Sequence, residues 1–230
     1  MFKLIHLEIK KFKLFDYWLG ILMANIGFIA FLSMIFVLEK NDGNIPFENF
    51  DMVMSISNAA VRATFIIFSS VILVKIIIDE YKTNSIDIMF TYPISRKKIM
   101  WTKLIIVACF TFITIMISTL FVGGVVYLLD TMFDIIPGDI RKEEIVENLL
   151  TAFLGALASA GLSLIPLFFG MRNKSASATF VSSIILVALT NSTSNNFTVF
   201  SFIVIPISLG LIGILIGYLT VRNIEHVDIQ

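Results

Sequence analysis

Cysteine is nearly absent from this chain: Cys109 is the single one, so there is no intrachain disulfide and no cysteine-rich metal site to consider. Histidine is almost as scarce. His6 stands near Glu8, and His226 lies between Glu225 and Asp228, but neither group has the spacing of a zinc-binding helix, and polar residues in terminal stretches are ordinarily solvated. No hydrolase motif accompanies them, so the sequence offers no catalytic and no metal-ligating residues. A Gly-x-x-x-x-Gly-Lys-Ser/Thr phosphate-binding loop is missing as well, so the chain does not supply its own nucleotide site.

Charge is also thin. Only 15% of the 230 residues are Asp, Glu, Lys or Arg, and they sum to zero at pH 7, so the total implies neither a nucleic-acid partner nor an acidic substrate. What the chain has in excess is apolar surface. Hydrophobic residues make up 57% and the mean hydropathy is +0.93, well above what one soluble core of this length requires. A bilayer is the natural solvent for such a composition. Lysines are spread through residues 1–13 rather than gathered before a short apolar core and a cleavage site, so no cleavable signal peptide is expected.

A membrane-spanning helix needs about 20 mainly apolar residues. Six runs come close to that measure: residues 17–38, 59–78, 104–129, 149–169, 176–190 and 199–219, the fifth being the shortest. No soluble domain separates them. The expectation is an all-α polytopic membrane protein forming one transmembrane domain over residues 1–230.

Lysine and arginine orient it, because cytoplasmic loops keep the excess of positive charge. One side holds Lys3, Lys10, Lys11, Lys13, Lys82, Arg96, Lys97, Lys98, Lys103, Arg172, Lys174 and Arg222; the other holds Lys40, Arg141 and Lys142. The first side, with both termini, reads as cytoplasmic. The outer side gathers acids in an outer segment at 130–148, within which residues 137–148 read as a short helix capped by Asp139 and carrying Glu143, Glu144 and Glu147. Positive-inside bias alone leaves acids outside, and an acidic lip would also attract cationic peptides.

Before the first run, Phe2, Ile5, Ile9 and Phe12 fall at helical spacing, with Lys3, His6, Lys10 and Lys13 on another face. This predicts an interfacial amphipathic helix within residues 1–16, resting on membrane lipid. Gly155 with Ser159 and Ala156 with Ala160 recur at four-residue spacing in the fourth run, and the sixth carries Gly210, Gly213 and Gly217. Small residues let helices approach closely, within one chain or between two copies. Pro166 and Pro206 fall inside runs, where they can kink a helix.

The inner segment 79–103, between the second and third runs, is the most informative stretch. Ser85, Ile86, Ile88, Met89 and Phe90 give a short helix with a large apolar face, and Pro93 stops it because the residue before proline avoids the helical region. Ser95 is placed to cap the next helix. Arg96, Lys97 and Lys98 occupy its first turn, where the helix dipole disfavours cations, so an acidic partner or lipid headgroup should compensate. Anionic lipid suffices for Lys97 and Lys98.

The segment resembles the signature of ABC-2 type permeases: Glu80, Met89, Phe90, Pro93, Ile94, Ser95, Arg96, Ile99 and Lys103 stand where that family has a Glu closing the second span, two leucine-like positions, Pro-Ile-Ser-Arg, an Ile and a Lys. Asn84 and Ser85 replace its usual Gly-Thr pair. The resemblance extends over essentially the whole chain. It implies six transmembrane helices and a cytoplasmic coupling helix between spans 2 and 3 that docks on a separate ABC ATPase. Glu80, Ile86, Met89, Phe90, Pro93, Ser95, Arg96 and Lys103 would serve that docking. Two ATPase subunits, carrying ATP and Mg, and a second permease copy, identical or paralogous, are the implied partners, in a bacterial plasma membrane. Length and composition look most like the short permeases of peptide export and bacteriocin or lantibiotic self-protection, including exporters of phenol-soluble modulins. The alternative is a membrane sensor or immunity subunit that binds peptide without moving it.

Arg62 and Lys75 are the charges embedded in the second run, candidates for a translocation path, although both can snorkel to an interface. No carboxylate lies in the middle of any run, which argues against a proton-coupled or sodium-coupled carrier.

Overall fold

The computed structural model describes residues 2–41, 49–82, 95–133, 141–173, 175–191, 193–194, 197–198, 200 and 204–222. Nearly all of them are helical. Helix α1 (Phe2–Lys11) leads through a turn, in which Lys13 takes a left-handed φ of 47°, and a short 3-10 stretch (Leu14–Tyr17) into α2 (Trp18–Asn41). Helix α3 (Phe50–Leu73) continues without a break through a π-helical turn (Val74–Ile78) and a last turn (Asp79–Lys82). Then come α4 (Arg96–Phe133), α5 (Lys142–Leu162), α6 (Ile165–Asn173), α7 (Ala176–Thr190) and α8 (Val204–Arg222). Between α7 and α8, β1 (Thr193–Ser194) pairs antiparallel with β2 (Phe197–Thr198), Thr193 opposite Thr198.

Among the described residues, five helical stretches are long and apolar enough to cross a bilayer: Trp18–Leu38, Phe50–Lys82, Arg96–Met132, Lys142–Asn173 and Val204–Arg222. The fifth run read from the sequence forms only the 15-residue α7. At 1.5 Å per residue that is about 22 Å, short of the roughly 30 Å hydrocarbon core. Large apolar side chains such as Leu19, Met23, Phe31, Leu128, Met132 and Leu215 are exposed on the outside of the bundle, as a lipid-facing surface requires.

The apolar runs understate several helices, because a helix does not stop where hydropathy falls. Helix α3 extends back to Phe50 and α4 spans 38 residues. The acidic stretch is likewise no separate helix. Glu143, Glu144 and Glu147 sit in the first turns of α5 itself, whose N-cap is Arg141, and no proline interrupts the helix before Leu162; Asp139 lies outside the described residues. Acids there complement the helix dipole.

Pro166 interrupts the helical stretch Lys142–Asn173, as expected of a proline inside a run, whereas Pro206 stands at a helix start. Helix α5 ends at Leu162, and Pro166, which has no N–H to offer the Leu162 carbonyl, stands in the first turn of α6. Pro206 is in the first turn of α8, where its missing N–H costs nothing.

Packing between helices uses small residues and buried hydroxyls. Gly161 of α5 meets the Gly210 backbone of α8, Gly213 meets the Gly161 carbonyl, and Gly217 faces Leu164. These contacts are within the chain. A Cβ at any of the first three would strike backbone, so only glycine allows this approach. The paired positions advance together, so α8 runs parallel to α5. Between them in the chain lie α6, α7 and the β1–β2 pair. Helix α7 packs on α3 and α6. There the Ser183 hydroxyl donates to Ser70 Oγ at 3.2 Å, while Asn25 Nδ2 of α2 donates to Ser118 Oγ of α4 at 2.9 Å. Buried serines such as Ser57, Ser69 and Ser70 also donate to carbonyls three or four residues earlier, which satisfies them without water.

Candidate functional site

The bundle has a basic end, where α1, the end of α3 and the start of α4 meet, and an acidic end at the starts of α3 and α5. At the basic end an apolar cluster holds Ile72, Leu73, Ile76, Ile77, Ile78, Met100 and Leu104, and Ile5, Ile9 and Phe12 of the α1 region lie against it. The expected amphipathic helix is present, and its apolar face is bound to the bundle.

Within that cluster sits a charge. Lys103 is 0% exposed, about two turns into α4. Its Nζ donates to the Ile76 carbonyl at 2.7 Å and to Glu80 Oε2, and lies 3.7 Å from Glu8 Oε2. Glu80 and Glu8 are themselves only 5% and 7% exposed. Lys11 completes the group, donating to Glu80 Oε1 at 2.6 Å from a half-exposed position. The ammonium groups of Lys103 and Lys11 lie 5.2 and 5.0 Å from the Phe12 ring centroid, close enough for its π-face to favour both. Two lysines face two carboxylates, so the cluster is electrically balanced, the condition under which buried charge is tolerable.

The backbone contributes too. Asp79 N donates to the Val74 carbonyl, the i to i+5 pattern of a π turn, and such turns recur at functional positions in long helices. The lysine meets that turn at Ile76. Three elements are thereby joined: α1 through Glu8 and Lys11, α3 through Glu80 and Ile76, and α4 through Lys103.

The same pair brackets the segment singled out in the sequence. Glu80 and Lys103 stand on its two flanks, in adjacent turns of the bundle, so the segment between them is closed at its base by a buried ion pair. Of the residues expected to dock a partner, these two are buried inside the chain, Glu80 at 5% and Lys103 at 0% exposure. Ser95 is at the N-cap position of α4, and its carbonyl accepts from Lys98 N at 2.9 Å and Ile99 N at 3.3 Å. Arg96 and Lys97 are half-buried and Lys98 is exposed. Ile86, Met89, Phe90 and Pro93, with Asn84 and Ser85, lie outside the described residues.

Arg62 and Lys75 are not brought together. Lys75 is exposed, its Nζ 4.9 Å from the Tyr17 ring centroid, whereas Arg62 is 7% exposed and stacks on Phe200, 4.1 Å from the ring centroid, toward the acidic end. Glu8, Lys11 and Phe12 were missed as members of the basic-end cluster. A signal existed: Glu8 falls on the same helical face as Ile5, Ile9 and Phe12, a carboxylate among apolar residues, and Lys103 is its counterpart in an apolar stretch of α4.

Fold and site together define a class, a multi-pass all-α membrane protein in which two long helices, α3 and α4, are tied by the buried Glu80–Lys103 ion pair. Comparison with known sequences names the family. Residues 4–191 match the ABC-2 family transporter proteins. The uncharacterized protein YcbO of Bacillus subtilis (strain 168) is 40% identical over 225 residues, covering 98% of this chain and 99% of its own length. No solved structure matches the chain. The chain belongs to the ABC-2 family of transporter membrane proteins. It is the membrane component of such a transporter rather than its catalytic subunit, and the family works with an ABC ATPase.

Proposed function

We propose that the chain is the permease subunit of an ATP-driven exporter of hydrophobic or amphipathic peptides, in the manner of bacterial peptide-export and lantibiotic-immunity permeases. It crosses the plasma membrane six times with both termini inside, and pairs with a second permease copy and two ATPase subunits that carry ATP and Mg. Support for the even number of crossings is the parallel packing of α5 and α8, which requires α7 and the hairpin to carry the chain back. Support for the orientation is the concentration of lysine and arginine at the α1 end.

The observation that carries the reading is the buried Glu80–Lys103 pair across the base of the segment. A force applied to that segment by an ATPase reaches α3 and α4 at once, and through Glu8 and Lys11 it reaches α1. Glu80 and Lys103 are buried and hydrogen-bonded, Glu8 is buried 3.7 Å from Lys103, and Lys11 is half-exposed. The ATPase would move the segment, and the helices would re-pack around an apolar path.

Docking is tested at the exposed start of α4. Arg96→Glu removes a donor fork and puts a like charge against an acidic groove, an effect of about 2 to 5 kcal/mol at a buried contact; the exposed Lys98 should matter by about 1 kcal/mol or less when replaced by Glu. Expected are normal membrane insertion of both variants and loss of ATPase copurification and peptide-stimulated ATP turnover in Arg96→Glu alone. Near-normal association and turnover in both would leave the basic run as a lipid anchor and remove the docking assignment. Peptide binding by a complex whose ATP turnover never responds to it would favour the sensor or immunity reading.

A further inference from the structure

At the acidic end, away from the cluster just described, a cavity of about 260 Å³ lies between α3, α5 and the start of α8. Its floor is Arg62. This guanidinium is 7% exposed, and its contact is the face of Phe200; among the described residues no carboxylate or carbonyl bonds it, and Nε has no hydrogen-bond partner. Asn58, one turn earlier on α3, lines the same cavity and leaves Oδ1 without a partner.

The acids nearby are otherwise engaged. Asp51 Oδ1 accepts from Asn148 Nδ2 at 2.6 Å, and Glu144 Oε1 is 3.2 Å from Arg141 Nε. Glu147 lines the rim but makes no ion pair with Arg62. The space is also shaped for the guanidinium: a Cβ on Gly155 would come within 3.2 Å of Arg62 Nη1.

A buried arginine with no counter-ion is among the costlier arrangements a membrane protein can hold, and ordinarily marks a place where an anion is received. The fork geometry suits an oxyanion, two parallel N–H donors to carboxylate or phosphate. The remaining walls decide what carries it. Leu154, Phe200 and Pro206 give apolar sides, while Ser55, Thr151 and Glu147 at the opening are exposed. A share of about 30 Å³ per liquid water leaves room for a headgroup and the start of a chain, not merely for one solvent molecule.

We infer that this cavity binds the oxyanion head of an amphiphile, a carboxylate or phosphate carried on an apolar chain, with Arg62 as its anchor and Glu147 as an opposing charge at the rim. Binding is a property of the permease chain alone, so it stands or falls apart from ATPase coupling.

The test uses the full-length chain in dodecyl maltoside, which carries no charge, and follows thermal stability against added probe. Dodecyl phosphate and dodecanoate should stabilise the protein saturably, and dodecyltrimethylammonium should not. Arg62→Gln should weaken the two anionic probes about tenfold or more, the worth of a charge-assisted bond in a site whose other donors are neutral amides and hydroxyls. Arg62→Lys, which keeps the charge and loses the fork, should fall between and guards against a folding defect in the first variant. Glu147→Gln, at an exposed position, should tighten both probes about two- to fivefold. Equal responses of wild type and Arg62→Gln would overturn the inference, as would weaker anion binding in Glu147→Gln. Inorganic phosphate binding as tightly as dodecyl phosphate would refute the amphiphile. A response to dodecyl phosphate without dodecanoate would assign the site to phosphate heads, and the reverse to carboxylates.

Discussion

Lys103→Met is the most informative single change, because it removes the charge on which three elements converge while keeping a side chain of similar length. In the wild type the ammonium is fully buried, bonded to the Ile76 carbonyl at 2.7 Å and to Glu80, with Glu8 at 3.7 Å. After substitution Glu80 keeps Lys11 at 2.6 Å, but Glu8 loses its cation and Ile76 its donor. Removing one member of a buried pair costs about 3 to 5 kcal/mol, most of it from the charge left behind. At about 2 to 4 °C per kcal/mol for a chain of this size, the melting temperature should fall on the order of 10 °C. Lys11→Ala is the control. Its ammonium is half-exposed and should contribute about 1 kcal/mol or less. Lys103→Met combined with Glu8→Gln should regain part of the loss, since the stranded carboxylate is then gone. Thermal unfolding in detergent gives the size of the effect, and amide exchange gives its place, with α1 exchanging faster in Lys103→Met. Equal melting temperatures for Lys103→Met and Lys11→Ala, or unchanged exchange in α1, would show that the cluster holds nothing together and would remove the mechanical link proposed for the segment.

Two further outcomes follow from the packing and the charge pattern. Gly161→Ala drives a Cβ into the Gly210 backbone and should destabilise by about 1 to 3 kcal/mol, whereas Gly124→Ala, with nothing within 4 Å, should be neutral or stabilising by up to about 1 kcal/mol; thermal melts should fall for the first and not for the second. In a Cys109→Ser background, single cysteines at Asn44 and Asp139 should react with an impermeant thiol reagent in intact cells and one at Ser95 should not. Labelling of Ser95 from outside would invert the orientation and with it the docking assignment.

The sequence by itself determined the class of the protein, since apolar runs about a bilayer thick can be satisfied only by spanning helices whose backbone bonds are internal. It determined the amphipathic start for the same reason, that helical periodicity is local. It also carried the family in the stretch from Glu80 to Lys103, and the proximity of small residues in α5 and α8 to a helix contact. Helix ends were less legible: hydropathy falls where the bilayer ends, but hydrogen bonding carries α3 back to Phe50 and α5 back to Lys142. The partners of charges were not legible at all. Glu8, Glu80 and Lys103 are far apart along the chain, and only the closure of α1 against α3 and α4 puts them into one volume without water. The same holds at the other end, where Arg62 read as a side chain free to snorkel. Tertiary packing under Phe200 and beside Gly155 decided that it cannot, because burial of a charge depends on what other helices bring to it, and that information is held by no single stretch of sequence.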